Sequence, residues 1–266
     1  MARIEDAVLD LGRLDRLAYA DTPVHRLDPR AKILATVAYL VAVVSHGKYE
    51  VSALLPFAVF PVVLAARAGL PAGYLVRKLL LVAPFAVLVG AANPWLDRAP
   101  LLQLGPVTVT GGWVSYASIL VRFALTIGAA LVLVATTGFY GVCLGLQRLG
   151  TPRVMAVQLL LLYRYLFVLA GEALRLVRAR NLRRFGRGGA GVGVYGSLVG
   201  SLLLRTLGRA RRIHTAMLCR GFTGEFRTIR DLRFRPADWA FLVGWSAVFA
   251  LFRWVHLPRL LGSLFT

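Results

Sequence analysis

The amino-acid sequence predicts an all-α, polytopic membrane protein with about five transmembrane helices and long cytoplasmic helices. The chain has 266 residues, of which 58% are hydrophobic. Its mean hydropathy of +0.68 is too high for a soluble domain of this length. The chain also carries a formal net charge of +20. Such apolar and basic contents coexist because the two kinds of residue are segregated along the chain, as they are in membrane proteins.

Five apolar stretches are candidates for membrane spans: 33–45, 51–66, 79–92, 113–138 and 237–252. Several are shorter than the roughly 20 residues that cross the hydrocarbon core, so flanking residues must complete them. The polar residues 46–50 separate the first two spans as a tight hairpin. The first 30 residues contain charges throughout and lack the apolar core of a signal peptide, so we expect an uncleaved segment at the membrane surface.

The distribution of lysine and arginine predicts the orientation. Residues 1–32 hold six basic residues, 67–78 hold three and 139–236 hold eighteen. The loops 46–50 and 93–112 hold one each. The positive-inside rule therefore places the N-terminus and the two other basic segments in the cytoplasm.

These charges divide the chain into three predicted regions: residues 1–138 with about four spans, a cytoplasmic or interfacial module over 139–236, and a last span with an outside tail over 237–266. Within the module, the apolar run 154–170 could be a sixth span by hydropathy. Crossing there would place six arginines outside, and the return stretch 191–204 is too short to span comfortably. We therefore predict one long helix over 152–185, lying in the membrane interface or packed against the spans.

The module is predicted to contain two long helices. Pro152 suits the first position of the first helix, and the glycine-rich stretch 186–193 ends that helix. The second helix is predicted from about Tyr195 to Arg220, with Gly221 as its C-cap and an arginine where the helix dipole favours a cation. An apolar stripe at helical spacing marks one face of this helix, and its members are Leu203, Leu207, Ala210, Ile213 and Met217.

The ends of these two helices are alike: each has an arginine after a small or apolar residue, and a phenylalanine near a glycine. The residues concerned are Leu182, Arg183, Arg184 and Phe185 at the first end, and Met217, Cys219, Arg220, Gly221 and Phe222 at the second. An arginine at a helix end offers five donors to carboxylates and carbonyl oxygens, and a neighbouring glycine allows close approach. Two such ends predict a two-point docking surface for a partner protein.

With these motifs the chain resembles the transmembrane T component of energy-coupling factor transporters, in particular the CbiQ type that serves cobalt uptake. That family has two Ala-Arg-Gly-like motifs at the ends of cytoplasmic coupling helices, matched here by Leu182-Arg183-Arg184 and Cys219-Arg220-Gly221. Further similar stretches are HRLDPRAK at 25–32, Asn93-Pro94 and Tyr163-Arg164-Tyr165. Cysteine replaces alanine at 219 and arginine replaces glycine at 184, so Arg183 is the preferred contact and Arg184 the alternative.

The resemblance implies a non-catalytic coupling subunit of an importer in the bacterial cytoplasmic membrane. Its partners would be two ATPase subunits, which bind ATP and dock on the two motifs, and a separate substrate-binding membrane subunit. The sequence has no GxxxxGK[ST] loop and no Cys/His cluster with metal-ligand spacing. We therefore expect no catalytic residue, metal or cofactor in this chain. Cobalt is the expected cargo, and nickel or a vitamin is the alternative.

The charged residues also bear on other possible functions. Arg122 lies about nine residues into the predicted fourth span, where a charge is costly. It is a candidate intramembrane contact with a partner subunit, and snorkelling is the alternative. Asp28 is expected to cap a helix or to pair with the nearby basic residues. Nucleic-acid binding is not expected, because no recognition motif accompanies the basic residues. A self-sufficient permease or channel stays an alternative, although the spans contain almost no ionisable residues to line a path.

Overall fold

The computed structural model describes residues 12, 15–96, 100–104, 107–183, 192–224 and 234–254. Its helices are α1 Pro23–Arg26, α2 Pro29–Val44, α3 Val51–Leu54, α4 Val59–Arg67, α5 Ala72–Gly90, α6 Asn93–Leu96, α7 Gly111–Arg148, α8 Arg153–Leu182, α9 Val192–Cys219 and α10 Pro236–Trp254. A 3₁₀ turn, Leu55–Ala58, separates α3 from α4. The predicted all-α class is confirmed, with one exception among the described residues: strands β1 Pro100–Leu104 and β2 Val107–Thr110 form an antiparallel hairpin.

The described residues fall into two compact units. The N-terminal unit contains residues 15–145 and 234–254, and the arginine-rich unit contains residues 12, 146–183 and 192–224. The last helix therefore folds with the first spans, although 87 residues (149–235) separate α7 from α10 along the chain.

Three helices among the described residues are long and apolar enough to cross a membrane: Ala72–Trp95, α7 and α8. The segment Val51–Arg67 is a shorter apolar helix. Flanking residues lengthen two of the five predicted spans to this length, since 79–92 lies within Ala72–Trp95 and 113–138 lies within α7. The span predicted at 33–45 corresponds to α2, which has 16 residues. The helix α8 is also long and apolar enough to cross a membrane, although we predicted that it lies in the membrane interface or packs against the spans. Its apolar N-terminal half suits each of these locations. Its interfacial position stays a prediction.

Aromatic side chains form the core of the N-terminal unit, where α2 packs against α10. The Tyr39 ring stacks on Phe60 with centroids 4.7 Å apart, and Phe249 of α10 meets Phe60 edge-on at 5.1 Å. These distances lie in the favourable range for aromatic pairs. The buried Tyr39 hydroxyl donates to the carbonyl of Phe57 at 3.2 Å, so its polar end is satisfied inside an apolar cluster.

The stretch 25–32 begins α2 and ties it to two other helices. Asp28 is the N-cap, and its carboxylate accepts a hydrogen bond from the Arg30 amide at 2.9 Å, which confirms the expected capping role. The amide of Asp28 in turn donates to the Asp238 carboxylate of α10 at 2.8 Å. Lys32 is buried, and its ammonium donates to the Thr136 carbonyl of α7 at 2.9 Å. A buried lysine needs such partners because an unpaired buried charge is costly.

Candidate functional site

The two long helices of the arginine-rich unit, α8 and α9, pack as an antiparallel pair. The Arg180 guanidinium near the end of α8 lies 5.6 Å from the Tyr195 ring near the start of α9. Glu172, which precedes Arg180 on α8, contacts Arg209, which follows Tyr195 on α9. This reversed order of contacts defines the antiparallel arrangement. The bounds 153–182 and 192–219 also confirm the two predicted helices to within three residues at each end.

Because the pair is antiparallel, the two arginine-bearing helix ends lie at opposite ends of it. Glu172 lies ten residues before Leu182, the last residue of α8, and Arg209 lies ten residues before Cys219, the last residue of α9. At 1.5 Å per residue, each end is about 15 Å from this contact, in opposite directions. The ends are therefore about 30 Å apart along the pair, too far for adjacent contacts on one small surface.

The apolar stripe predicted on α9 faces α8. Four of its five members line a groove of about 500 Å³, whereas Leu203 is 57% exposed and lies outside the lining. We call this cavity the inter-helix groove, lined mainly by Val157, Leu161 and Leu169 of α8 and by Leu207, Ala210, Ile213 and Met217 of α9. The stripe therefore gives the space between the two helices an apolar lining, although Leu207 is still 51% exposed.

The second helix end is a Schellman turn. The amide of Gly221 donates to the Leu218 carbonyl at 2.9 Å, and the amide of Phe222 donates to the Met217 carbonyl at 3.0 Å. Gly221 has φ of +75°, a conformation that glycine adopts without strain. Phe222 and Met217 both line the inter-helix groove, which is the apolar contact that accompanies such turns. The turn thus anchors the phenylalanine and leaves Arg220 exposed.

The first helix end places its arginine in the same position. The helix α8 ends at Leu182, and Arg183 is the C-cap, with its amide donating to the carbonyls of Ala179 and Arg180. Leu182 is 78% exposed and Arg183 is also exposed. Arg183 and Arg220 are therefore both the first residue after a helix. This equivalence favours Arg183 over Arg184 as the counterpart of Arg220.

Arg184 and Phe185 lie outside the described residues. Cys219 is an exposed free thiol at the last position of α9. The docking role of both helix ends stays a prediction at this point.

One acidic residue organises the charges of this unit, and sequence reasoning missed it. Glu172 is the single acidic residue between positions 139 and 224. Its carboxylate accepts a hydrogen bond from Arg209 at 2.7 Å, and it lies 3.7 Å from Arg205 and 4.0 Å from Arg175. The available signal was the isolation of one carboxylate among many arginines on two helices predicted to pack together.

Arg122, the candidate intramembrane contact, has partners inside the N-terminal unit. Its guanidinium donates to the carbonyl of His46 at 2.9 Å and to that of Gly47. These carbonyls belong to the polar turn after α2, so the arginine fastens that turn to α7. The charge is thereby stabilised by charge-assisted hydrogen bonds. Contact with a partner subunit stays a prediction for this residue.

Comparison with known proteins places these features in a family. The family model for CbiQ, described as cobalt transport protein, matches residues 20–229, which include both helix ends. The chain is 29% identical over 249 residues to the energy-coupling factor transporter transmembrane protein EcfT of Heliobacterium modesticaldum, covering 87% of this chain and 92% of that one. For the EcfT of Listeria innocua the identity is 26% over 266 residues, covering 91% and 97%.

A third relative carries the family's own name. The chain is 31% identical over 154 residues to the cobalt transport protein CbiQ of Rhodobacter capsulatus, covering 54% of this chain and 59% of that one. The resemblance read from the helix-end motifs is therefore confirmed over most of the chain. The chain belongs to the CbiQ family of cobalt transport proteins, and it is a non-catalytic transmembrane component of an energy-coupling factor transporter.

Proposed function

We propose that this chain transmits the ATP-driven motion of two ATPase subunits to a separate substrate-binding membrane subunit. The observation that supports this most is the pair of exposed arginines, Arg183 and Arg220, at opposite ends of one antiparallel helix pair. A spacing of about 30 Å suits two separate docking partners, one at each end. Each guanidinium offers a planar fork of donors that fits a carboxylate or a pair of carbonyl oxygens on an ATPase surface.

The helix pair suits the transmission of force because both helices are long and are held to each other. A displacement applied at one helix end moves a rigid helix of 28 or 30 residues rather than a flexible loop. The apolar first half of α8 and the uncharged stretch 192–204 of α9 give the same pair surfaces suited to lipid or to the membrane subunit. We place the chain in the bacterial cytoplasmic membrane, with the N-terminus and both helix ends in the cytoplasm, on the basis of its charge asymmetry.

The proposed cargo is the cobalt ion. The description of the family and the printed name of the Rhodobacter capsulatus relative support this choice. The same coupling role for nickel or for a vitamin is the alternative, because the names of the EcfT relatives specify no cargo. We assign the recognition of the cargo to the substrate-binding subunit, as the family resemblance implies. Cobalt and nickel uptake assays with the neighbouring substrate-binding subunit distinguish these cargoes.

The docking role is tested by reversing both arginines. The variant Arg183→Glu/Arg220→Glu is expected to lose ATPase co-purification and cobalt uptake while its level in the membrane is unchanged. The matched control is Arg211→Glu/Arg212→Glu, which makes the same charge change at exposed positions within α9. Normal assembly and uptake by the first variant, or equal loss in the control, contradicts the proposal.

The same complex tests the physical nature of the contact. Exposed charge pairs are screened at ionic strengths well above about 0.1 M, so co-purification should weaken as salt is raised. Retention at high salt indicates that apolar side chains such as Met217 and Phe222 dominate the contact. Uptake in proteoliposomes that contain this chain without any ATPase subunit supports the permease alternative instead.

A further inference from the structure

We propose that Glu172 is the pivot that fixes the angle between α8 and α9, so that a displacement of one arginine-bearing end is passed to the other. This proposal rests on the coupling function proposed above. It concerns an ion-pair cluster inside the arginine-rich unit, away from both docking motifs. Three features of the Glu172 carboxylate support the proposal: its contacts, its position along the two helices, and the charges around it.

The contacts of Glu172 join the two helices through both carboxylate oxygens. Oε2 accepts a hydrogen bond from Arg209 Nη2 at 2.7 Å, and Oε1 lies 3.7 Å from Arg205 Nη1. Both arginines belong to α9, one turn apart. The Glu172 side chain is only 14% exposed, so this carboxylate is screened from water. Charge-assisted hydrogen bonds of this kind are short and directional, unlike the apolar contacts of the inter-helix groove.

The position of this contact gives the two docking ends equal lever arms. Glu172 and Arg209 each lie ten residues before the last residue of their helix, about 15 Å from that end. A rotation of about 10° around the contact therefore moves each end by about 2.6 Å, from this arm length. A pivot closer to one end would move the other end further. The equal arms suit two ATPase subunits that approach each other symmetrically.

The charge around Glu172 explains why the pair needs it. Near this contact, α8 carries Arg175, and α9 carries Arg205 and Arg209. Two facing helices with these charges repel each other in a partly desolvated site. Arg175 lies 4.0 Å from Glu172 on the same helix and is 74% exposed, so it adds neutralisation without joining the helices. Removal of the carboxylate converts an attractive contact into a repulsive one.

The pivot is tested on the full chain in lipid nanodiscs without ATPase subunits. Spin labels are placed at Asn181→Cys of α8 and Val199→Cys of α9, two exposed positions on the same side of the Glu172 contact, after Cys143 and Cys219 are changed to alanine. The unmodified pair should give one narrow distance distribution. Glu172→Gln keeps the size of the side chain and removes its charge. We expect it to add a second distance population on the order of a tenth of the molecules or more, because loss of the ion pair raises the population of an alternative angle between α8 and α9.

Two variants make this measurement decisive. Arg211→Gln removes one charge from an exposed position two residues from Arg209, and it should leave the distribution unchanged. The exchange Glu172→Arg/Arg209→Glu restores an opposite-charge pair and should restore the narrow distribution. An unchanged distribution for Glu172→Gln, or a failure of the exchange to narrow it, overturns the pivot.

The complete complex provides the functional readout. With ATPase and substrate-binding subunits present, Glu172→Gln should keep ATPase docking and ATP hydrolysis while cargo transported per ATP falls about tenfold, within the usual range of coupling between sites. Loss of ATPase docking in this variant would instead assign Glu172 to folding or docking, and would overturn the proposal. If the coupling function itself were wrong, uptake would not depend on the ATPases, whereas the spin-label result would stand by itself.

Discussion

The glycine of the second motif offers the most direct test of how a docking end is built. Gly221 has φ of +75°, and a Cβ placed on it would meet no atom within 4 Å. The variant Gly221→Ala therefore adds backbone strain without a steric clash. An L-residue pays roughly 1–2 kcal/mol for this left-handed conformation. The strain opposes the turn that holds Phe222 in the inter-helix groove and presents Arg220.

The expected effect on docking follows from that energy. If ATPase docking requires the turn and the strained chain leaves the turn when no ATPase is bound, a cost of about 1.4 kcal/mol lowers the affinity by up to tenfold. Gly221→Ala should then weaken ATPase binding by up to about 5- to 30-fold. Gly221→Asn should lose less, because asparagine visits the left-handed region more readily than alanine. Both variants leave the charge of Arg220 intact, so a change in affinity reports the backbone turn and not the electrostatics of the arginine.

The assay is the binding of purified ATPase subunits to the chain in nanodiscs, measured by interferometry as dissociation constants. Gly150→Ala is a matched control, because Gly150 has φ of +112°, has no atom near its Cβ position, and caps α7 with the same pattern of hydrogen bonds. It should leave ATPase binding within experimental error of the unmodified chain. Equal binding by Gly221→Ala and the unmodified chain, or equal weakening in the control, refutes the requirement for this turn.

Two further predictions concern the N-terminal unit. Burial and the nearby charge of Lys32 lower the pKa of His25 in the folded chain. Because the unfolded chain binds the proton more tightly, the contribution of neutral His25 to folding stability is present above about pH 6.5 and is lost as the pH falls below that value. In thermal denaturation in detergent, His25→Gln should lose less stability on acidification than the unmodified chain does. Burial also lowers the pKa of His46, so His46 should account for part of the loss that remains in the variant. Arg122→Gln should lower the free energy of unfolding by about 2 kcal/mol, because two carbonyls of the 46–50 turn lose a charged donor, with Arg211→Gln as the control. Unchanged stability together with loss of the substrate-binding subunit would instead support the intramembrane partner contact for Arg122.

Local signals in the sequence predicted the arginine-rich helices well. The helix over 152–185 is observed at 153–182, and the helix from Tyr195 to Arg220 is observed at 192–219. Gly221 was expected as a C-cap, and the structure confirms it. These features depend on helical periodicity and on capping chemistry, which involve residues only a few positions apart. For the same reason the capping role of Asp28 could be predicted from the residues around it.

Contacts between distant residues could not be predicted in this way. The bond between Glu172 and Arg209 joins residues 37 positions apart, and Lys32 reaches a carbonyl 104 positions away. Each of these contacts depends on which faces of two helices meet, and the sum of many weak packing interactions sets those faces. The hairpin at 100–110 was also missed, although the alternation of Val107-Thr108-Val109-Thr110 is typical of a strand.

The sequence alone determined the membrane class, the two long basic helices and the arginine at each helix end, because composition, periodicity and caps are local properties. It also carried the family resemblance, which rests on those same short motifs. Only the tertiary structure decided that α8 and α9 run antiparallel, which separates the two ends by about 30 Å. It alone also assigned Arg122 to the turn after α2 and placed Glu172 midway between the two arginines. These facts follow from which surfaces pack together, and packing is set by the whole chain at once.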